Sequence, residues 1–382
     1  MIQRLKKAAN KDTLKTILKF LAIIFAVYLF LVSIGLISAA FKGFGKGFAE
    51  NLLKTTANPF IALFIGVLAT SIIQSSSTTT SLVVGMVSSG IIPIAGAIPI
   101  VMGANIGTTV TNTIVSLGHI TQKEEFRRAI AGAAVHDFFN IMVVAILFPL
   151  ELMTGFLEKS ATYLSGQFLN YGGVTFTSPL KAITKPVIHF IKDFFVNGLD
   201  ISSTMAYTGM LILAAILTFL TLFMIVKLMK SMVMAKTESI FNQIIGKSAL
   251  LAIFGGMFIT TIVQSSSITT SLLIPMIGAG ILSLEAAYPV TIGANIGTTT
   301  TAILASLATG NPSAIAIAFV HFLFNFIGAV IFFPIKFLRN IPLKMARMLG
   351  ELAYRKRAYA VFYMVCIFFL VPITLILISK LF

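Results

Sequence analysis

The sequence predicts an all-α polytopic membrane protein built from two inverted-topology repeats. Each repeat is expected to hold a re-entrant hairpin and a broken helix, and an extra C-terminal span follows them. Three observations carry this expectation. The 382 residues are 57% hydrophobic and only 10% charged, whereas soluble globular chains carry roughly a quarter charged residues. Two polar motifs recur inside apolar runs: Gln74–Ser77 (QSSS) returns as Gln264–Ser267, and Gly103–Thr109 (GANIGTT) returns as Gly293–Thr299, both by the same displacement and without a gap. The lysines and arginines gather in short segments that alternate with the apolar runs, the pattern of cytoplasmic loops.

Taken in order, a basic head (Arg4 to Lys19) overlaps an apolar run from about Leu14 to Ala40. That run is too long for a signal-peptide core and reads as a retained span. Phe41, Phe44, Phe48 and Leu52 then fall at helical spacing between lysines, which predicts a segment lying flat in the interface. Residues 58–90 are apolar except at QSSS and read as a hairpin; 91–118 are apolar except at GANIGTT; a run from the Lys123–Arg128 loop to about Leu150 completes the first repeat. Repeat boundaries are set at 1–150 and 205–335, with an external connector at 151–204 and a basic cytoplasmic segment plus last span at 336–382. His136 and Asn140 recur as His321 and Asn325, at a slightly smaller displacement because the loop before them differs in length.

If 58–90 is a hairpin, the first half crosses the bilayer three times and the second half starts on the opposite side. Lys and Arg residues placed inside then number 20, against 8 outside. The N-terminus is expected in the cytoplasm and the C-terminus outside, in a seven-span, multi-pass protein of the cell membrane. Opposed orientation of like repeats is a property of many secondary transporters.

Composition excludes several other classes. The net charge of +16 is distributed by topology, so nucleic acid is not an expected partner; the partners are the bilayer and small ions. Cys366 is the single cysteine, which rules out an intrachain disulfide or a cysteine metal site, and no N-glycosylation sequon is present.

Hydroxyl clusters and glycine pairs at membrane depth are tolerated only where protein or water surrounds them. Helix N-termini after each QSSS suit an oxyanion, while Gln, Asn, Ser and Thr oxygens suit a hard cation such as Na+. With no Lys or Arg inside the spans, an anion entering alone would be costly to desolvate, which argues for cation-coupled symport. Asp137 is the one acid well inside an apolar span and reads as a cation ligand or charge-coupling residue. His136 and His321 read as hydrogen-bonding core residues rather than ligands; for Asn140 and Asn325 both readings stay open. An ion channel with hydroxyl rings as filter is the reading from another class. An intramembrane hydrolase using a QSSS serine with His136 lacks a nucleophile turn.

These residues also bring a resemblance. QSSS and GANIGTT in both halves, with EFRRAIAGAAVHDFFN at 125–140, resemble the type II sodium-dependent phosphate cotransporters over about residues 58–150 and 245–365. The resemblance implies inward, Na+-driven transport of inorganic phosphate (another oxyanion being the alternative), with no enzymatic activity and no cofactor beyond the co-transported Na+. It implies phosphate binding by Gln74, Ser75, Ser76, Ser77, Gln264, Ser265, Ser266 and Ser267. It implies sodium binding by Thr78, Asn105, Thr108, Thr109, Asp137, Asn140, Asn295, Thr298 and Thr299. Electrogenic members share Ala-Gly-Ala-x-x-His-Asp, matched here by Ala131 to Asp137. The connector lacks the disulfide and glycosylation of vertebrate members, which implies a compact bacterial-type member.

Overall fold

The computed structural model describes residues 2–44, 54, 56–170, 179–244 and 248–379, and among these it is helical, with no strand. Among the described residues seven helices are long and apolar enough to cross a membrane: Leu14–Gly43, Ile94–Leu117, Lys123–Thr154, Ser203–Ile225, Leu284–Thr309, Pro312–Phe332 and Ala358–Ile378. They coincide with the seven spans read from the sequence, and the chain is a multi-pass membrane protein. Phe20, Phe25, Phe254 and Phe258 are exposed on the outer faces, as lipid-facing side chains are.

Helix α1 (Ile2–Gly43) is followed by two short helices, α2 (Pro59–Ile73) and α3 (Ser76–Ser89). Asn58 starts α2 by accepting from the Phe60 and Ile61 N–H groups at 2.9 and 3.4 Å, with Pro59 at a first-turn position that needs no N–H. Gln74 ends it in the left-handed conformation (φ 58°), its N–H returning to the Thr70 carbonyl at 2.7 Å. Ser75 then caps α3, accepting from the Thr78 N–H at 3.2 Å. Next come α4 (Ile94–Gly107), α5 (Val110–Leu117) and the long α6 (Lys123–Thr154).

The connector is largely helical, with α7 (Phe156–Asn170) and α8 (Pro179–Asp193) leading into α9 (Ser203–Ile244). The turn geometry of the first half then recurs. Helix α10 (Ala249–Val263) ends at Gln264, again left-handed at φ 58°, and Ser265 caps α11 (Ser266–Ser271). A break at Leu272 separates α11 from α12 (Leu273–Gly278). Pro275 accounts for it, because its ring removes an N–H and crowds the carbonyl four residues back. Helices α13 (Leu284–Thr309), α14 (Pro312–Phe332), α15 (Lys336–Arg355), α16 (Ala358–Val365) and α17 (Val371–Ile378) complete the chain, a π turn at Cys366–Leu370 joining the last two.

Two sequence expectations change here. The second GANIGTT does not break a helix: α13 runs through it unbroken, and at the first the chain only tightens at Thr108–Thr109, both residues staying in the right-handed helical region. The glycines serve close packing instead. A methyl group on Gly103 would overlap the Leu63 carbonyl oxygen, and one on Gly293 would overlap that of Ile253, so α2 lies against α4, and α10 against α13, at backbone distance. The second change concerns the segment expected in the interface, whose residues 45–53 lie outside the described residues. Phe41 is instead buried in the last turn of α1, and Phe44 packs edge-on against Tyr207 of α9 at 6.4 Å.

Candidate functional site

The two left-handed turns bring Gln74–Thr78 and Gln264–Ser267 to the wall of one cavity of about 380 Å³, closed on another side by Ile73 and by Phe219, Leu222 and Phe223 of α9. Every candidate phosphate residue named from the sequence lines it, and no lining residue is charged. Ser76, Ser77 and Thr78 are buried in the first turn of α3, whose leading N–H groups have no helical carbonyl to meet. The Thr78 hydroxyl donates to Ser75 Oγ at 2.9 Å, tying Thr78 to the phosphate set.

The tips differ in one respect. Gln264 Oε1 accepts from the Thr301 hydroxyl at 2.7 Å and its amide N–H donates to the Thr261 carbonyl at 2.5 Å. Gln74 is exposed, and Thr111, which stands where Thr301 stands in the other half, has a buried hydroxyl without a partner among the described residues.

A second polar group lies between the halves, and each half grips the other's asparagine. His136 Nε2 donates to Asn295 Oδ1 at 2.5 Å, and Asn295 Nδ2 donates to Asn140 Oδ1 at 2.7 Å. Reciprocally, His321 Nε2 and Asn325 Nδ2 donate to Asn105 Oδ1 at 3.3 and 3.1 Å. All six side chains are buried. Asn105 Oδ1 thus accepts two N–H groups, whereas Asn140 Oδ1 and Asn295 Oδ1 accept one each and keep a second lone pair. Thr108, Thr109, Thr298 and Thr299 donate to carbonyls of their own helices at 2.7–3.0 Å, which leaves their oxygen lone pairs available.

Asp137 sits apart from both groups. It is fully buried; Oδ2 accepts from the Tyr363 hydroxyl at 3.1 Å, the Thr109 and Thr113 hydroxyls lie beside the carboxylate, and Oδ1 has no partner among the described residues. A buried carboxylate oxygen without a donor is costly unless a cation meets it or a proton neutralises the group. Among the described residues there is no cluster of three or more His, Cys, Asp or Glu side chains that could hold a metal ion.

The Na+/Pi-cotransporter family model matches residues 29–178 and 216–352, most of the chain. The chain belongs to the Na+/Pi-cotransporter family. This family member is 36% identical to human (Homo sapiens) sodium-dependent phosphate transport protein 2B over 91% of the chain, and to the Pongo abelii 2B protein at the same level. It is 34% identical to the 2A protein of Ovis aries over 97% of the chain. It spans 63% of the length of those 2B relatives and 68% of that 2A relative. No solved structure matches it.

Sequence reasoning missed several residues at these sites. Phe219, Leu222 and Phe223 belong to a uniformly apolar span, whose pattern does not tell a cavity wall from a lipid face. Tyr363 lies 226 residues from Asp137. Its hydroxyl in a largely apolar last span was a signal it shared with Tyr359, since a phenol in hydrocarbon needs a partner.

Proposed function

We propose that this chain carries out Na+-coupled symport of inorganic phosphate, as HPO4 2−, into the cell by alternating access, and that the cycle is electrogenic. The observation that carries this reading is the uncharged cavity lined by both QSSS tips, one from each half of the sequence. Its serine hydroxyls and first-turn N–H groups suit an oxyanion. The absence of a lining cation means that a divalent anion must be neutralised by ions entering with it. The names of the relatives, sodium-dependent phosphate transport proteins, support the same pair of solutes and set the hydrolase reading aside.

In this reading Gln74–Ser77 and Gln264–Ser267 hold phosphate, and Asp137 with the Thr109 hydroxyl holds one Na+. Helices α2 and α10 have 15 residues each, about 22 Å of helix at 1.5 Å per residue. That is short of a hydrocarbon core of roughly 30 Å, which supports two re-entrant hairpins that turn at depth. The distribution of basic residues supports opposite orientation of repeats 1–150 and 205–335, a cytoplasmic N-terminus and an external end to the last span.

The test is radiolabelled phosphate uptake into proteoliposomes under an inward Na+ or K+ gradient with the membrane potential clamped. Uptake that needs Na+ and rises when the interior is made negative is the expected result. Uptake that needs Na+ but ignores voltage would remove electrogenicity. Movement of sulfate and not phosphate would replace the substrate, and flux without saturation would favour a channel.

A further inference from the structure

The two halves differ at one polar seat. On the second hairpin the Thr270 and Ser271 hydroxyls donate to Asn112 Oδ1 at 2.9 and 3.2 Å, and Asn112 Nδ2 in turn donates to His136 Nδ1 at 3.2 Å. One amide thus accepts from two hydroxyls, donates to a histidine, and joins α11 to α5 and α6.

Aligning the repeats on their QSSS, GANIGTT and His-x-x-x-Asn motifs makes Thr80, Ser81 and His321 the counterparts of Thr270, Ser271 and His136, but the counterpart of Asn112 is Ala302. The elements that carry them pack together as their equivalents do, α3 against both α13 and α14. Thr80, Ser81, Ala302 and His321 are at most 1% exposed. Thr80 Oγ1, Ser81 Oγ and His321 Nδ1 have no hydrogen-bond partner among the described residues. His321 Nε2 donates to Asn105 Oδ1, so Nδ1 presents a lone pair. The three orphans therefore ask for what the Asn112 amide supplies opposite: an acceptor for two hydroxyls and a donor for an imidazole nitrogen.

We infer that a single buried water binds between Thr80, Ser81, Ala302 and His321, in the position that the Asn112 amide takes in the other half. A water making about three hydrogen bonds to otherwise unsatisfied buried groups is a common structural element. Na+ fits less well, because it would have only two hydroxyl oxygens and a ring nitrogen and could not satisfy a donor hydroxyl. The consequence is asymmetric: the second hairpin is tied to the helices behind it by a covalently held amide, the first by an exchangeable molecule. This seat does not depend on which ions the protein carries.

The purified full chain tests it through Ala302→Asn, which supplies the amide, and Ala302→Val, which fills the space with carbon and strands the polar atoms. A302N should slow hydrogen exchange in peptides covering residues 76–89 by about threefold, the worth of an average buried hydrogen bond inside a membrane protein. A302V should speed it and lower the thermal midpoint. If A302N behaves like A302V, the space is already filled by the chain and the water is ruled out. Loss of one bound Na+ in A302N, measured by isotope binding, would overturn the water in favour of a cation. Should A302N fail to fold, a high-resolution density map of the wild-type protein decides. A peak at hydrogen-bonding distance from Thr80 Oγ1, Ser81 Oγ and His321 Nδ1 supports the water, and no peak overturns it.

Discussion

Gln74 and Gln264 are the only non-glycine residues with positive φ among the described residues, and both sit at 58°. For an L-residue that conformation costs about 1 kcal/mol, yet both positions keep an amide side chain rather than glycine. In the proposed reading the Gln74 side chain returns through phosphate binding more than the backbone loses. Gln74→Gly should therefore keep or raise the thermal midpoint while phosphate uptake at limiting substrate falls about tenfold, the value of one lost hydrogen bond to an anion. A lower midpoint with uptake intact would show that the glutamine is kept for folding instead. Gln264→Gly should be less benign for stability, since the Gln264 amide is bonded to both Thr301 and Thr261.

Elements joined through glycine make a different kind of claim. Gly103 and Gly107 set α4 on α2, and Gly293 and Gly297 set α13 on α10, each against a carbonyl of the facing helix. Gly293→Ala should cost about 2 kcal/mol by forcing the pair apart. Gly166→Ala in α7, where an added methyl meets nothing within 4 Å, should be neutral or stabilising. Thermal midpoints of the two variants in one detergent check this, and equal midpoints would remove the packing role. The same glycines mark where the sequence could be read and where it could not. The seven spans were legible, because long apolar runs have few physical explanations, and the doubled QSSS marked the two places where a left-handed turn separates short helices. The glycine pairs were not legible, since unwinding a helix and pressing it against a neighbour call for the same residue. The wall supplied by α9 and the tie from Tyr363 depend on contacts far apart in sequence, which local pattern does not carry.

For the molecule as a whole, charge and connection between halves decide the behaviour. Asp137 is buried and its Oδ1 has no hydrogen-bond partner among the described residues, so Asp137→Asn should leave Na+-dependent phosphate uptake running but insensitive to membrane potential. Current and tracer flux measured on the same liposomes give the charge moved per phosphate, and an unchanged ratio would sink the role assigned to Asp137. The reciprocal grip of His136 and Asn140 on Asn295, and of His321 and Asn325 on Asn105, has its own consequence. A polypeptide of half this length would keep only the bonds made inside it, such as those of Asn140 Nδ2 to the Asn105 carbonyl and of Asn112 to His136, and would lose the acceptor of the His136 Nε2 proton. A second copy of that half could supply the acceptor again. In the single chain those bonds form the interior that holds the two halves together, although the halves differ where Asn112 stands opposite Ala302.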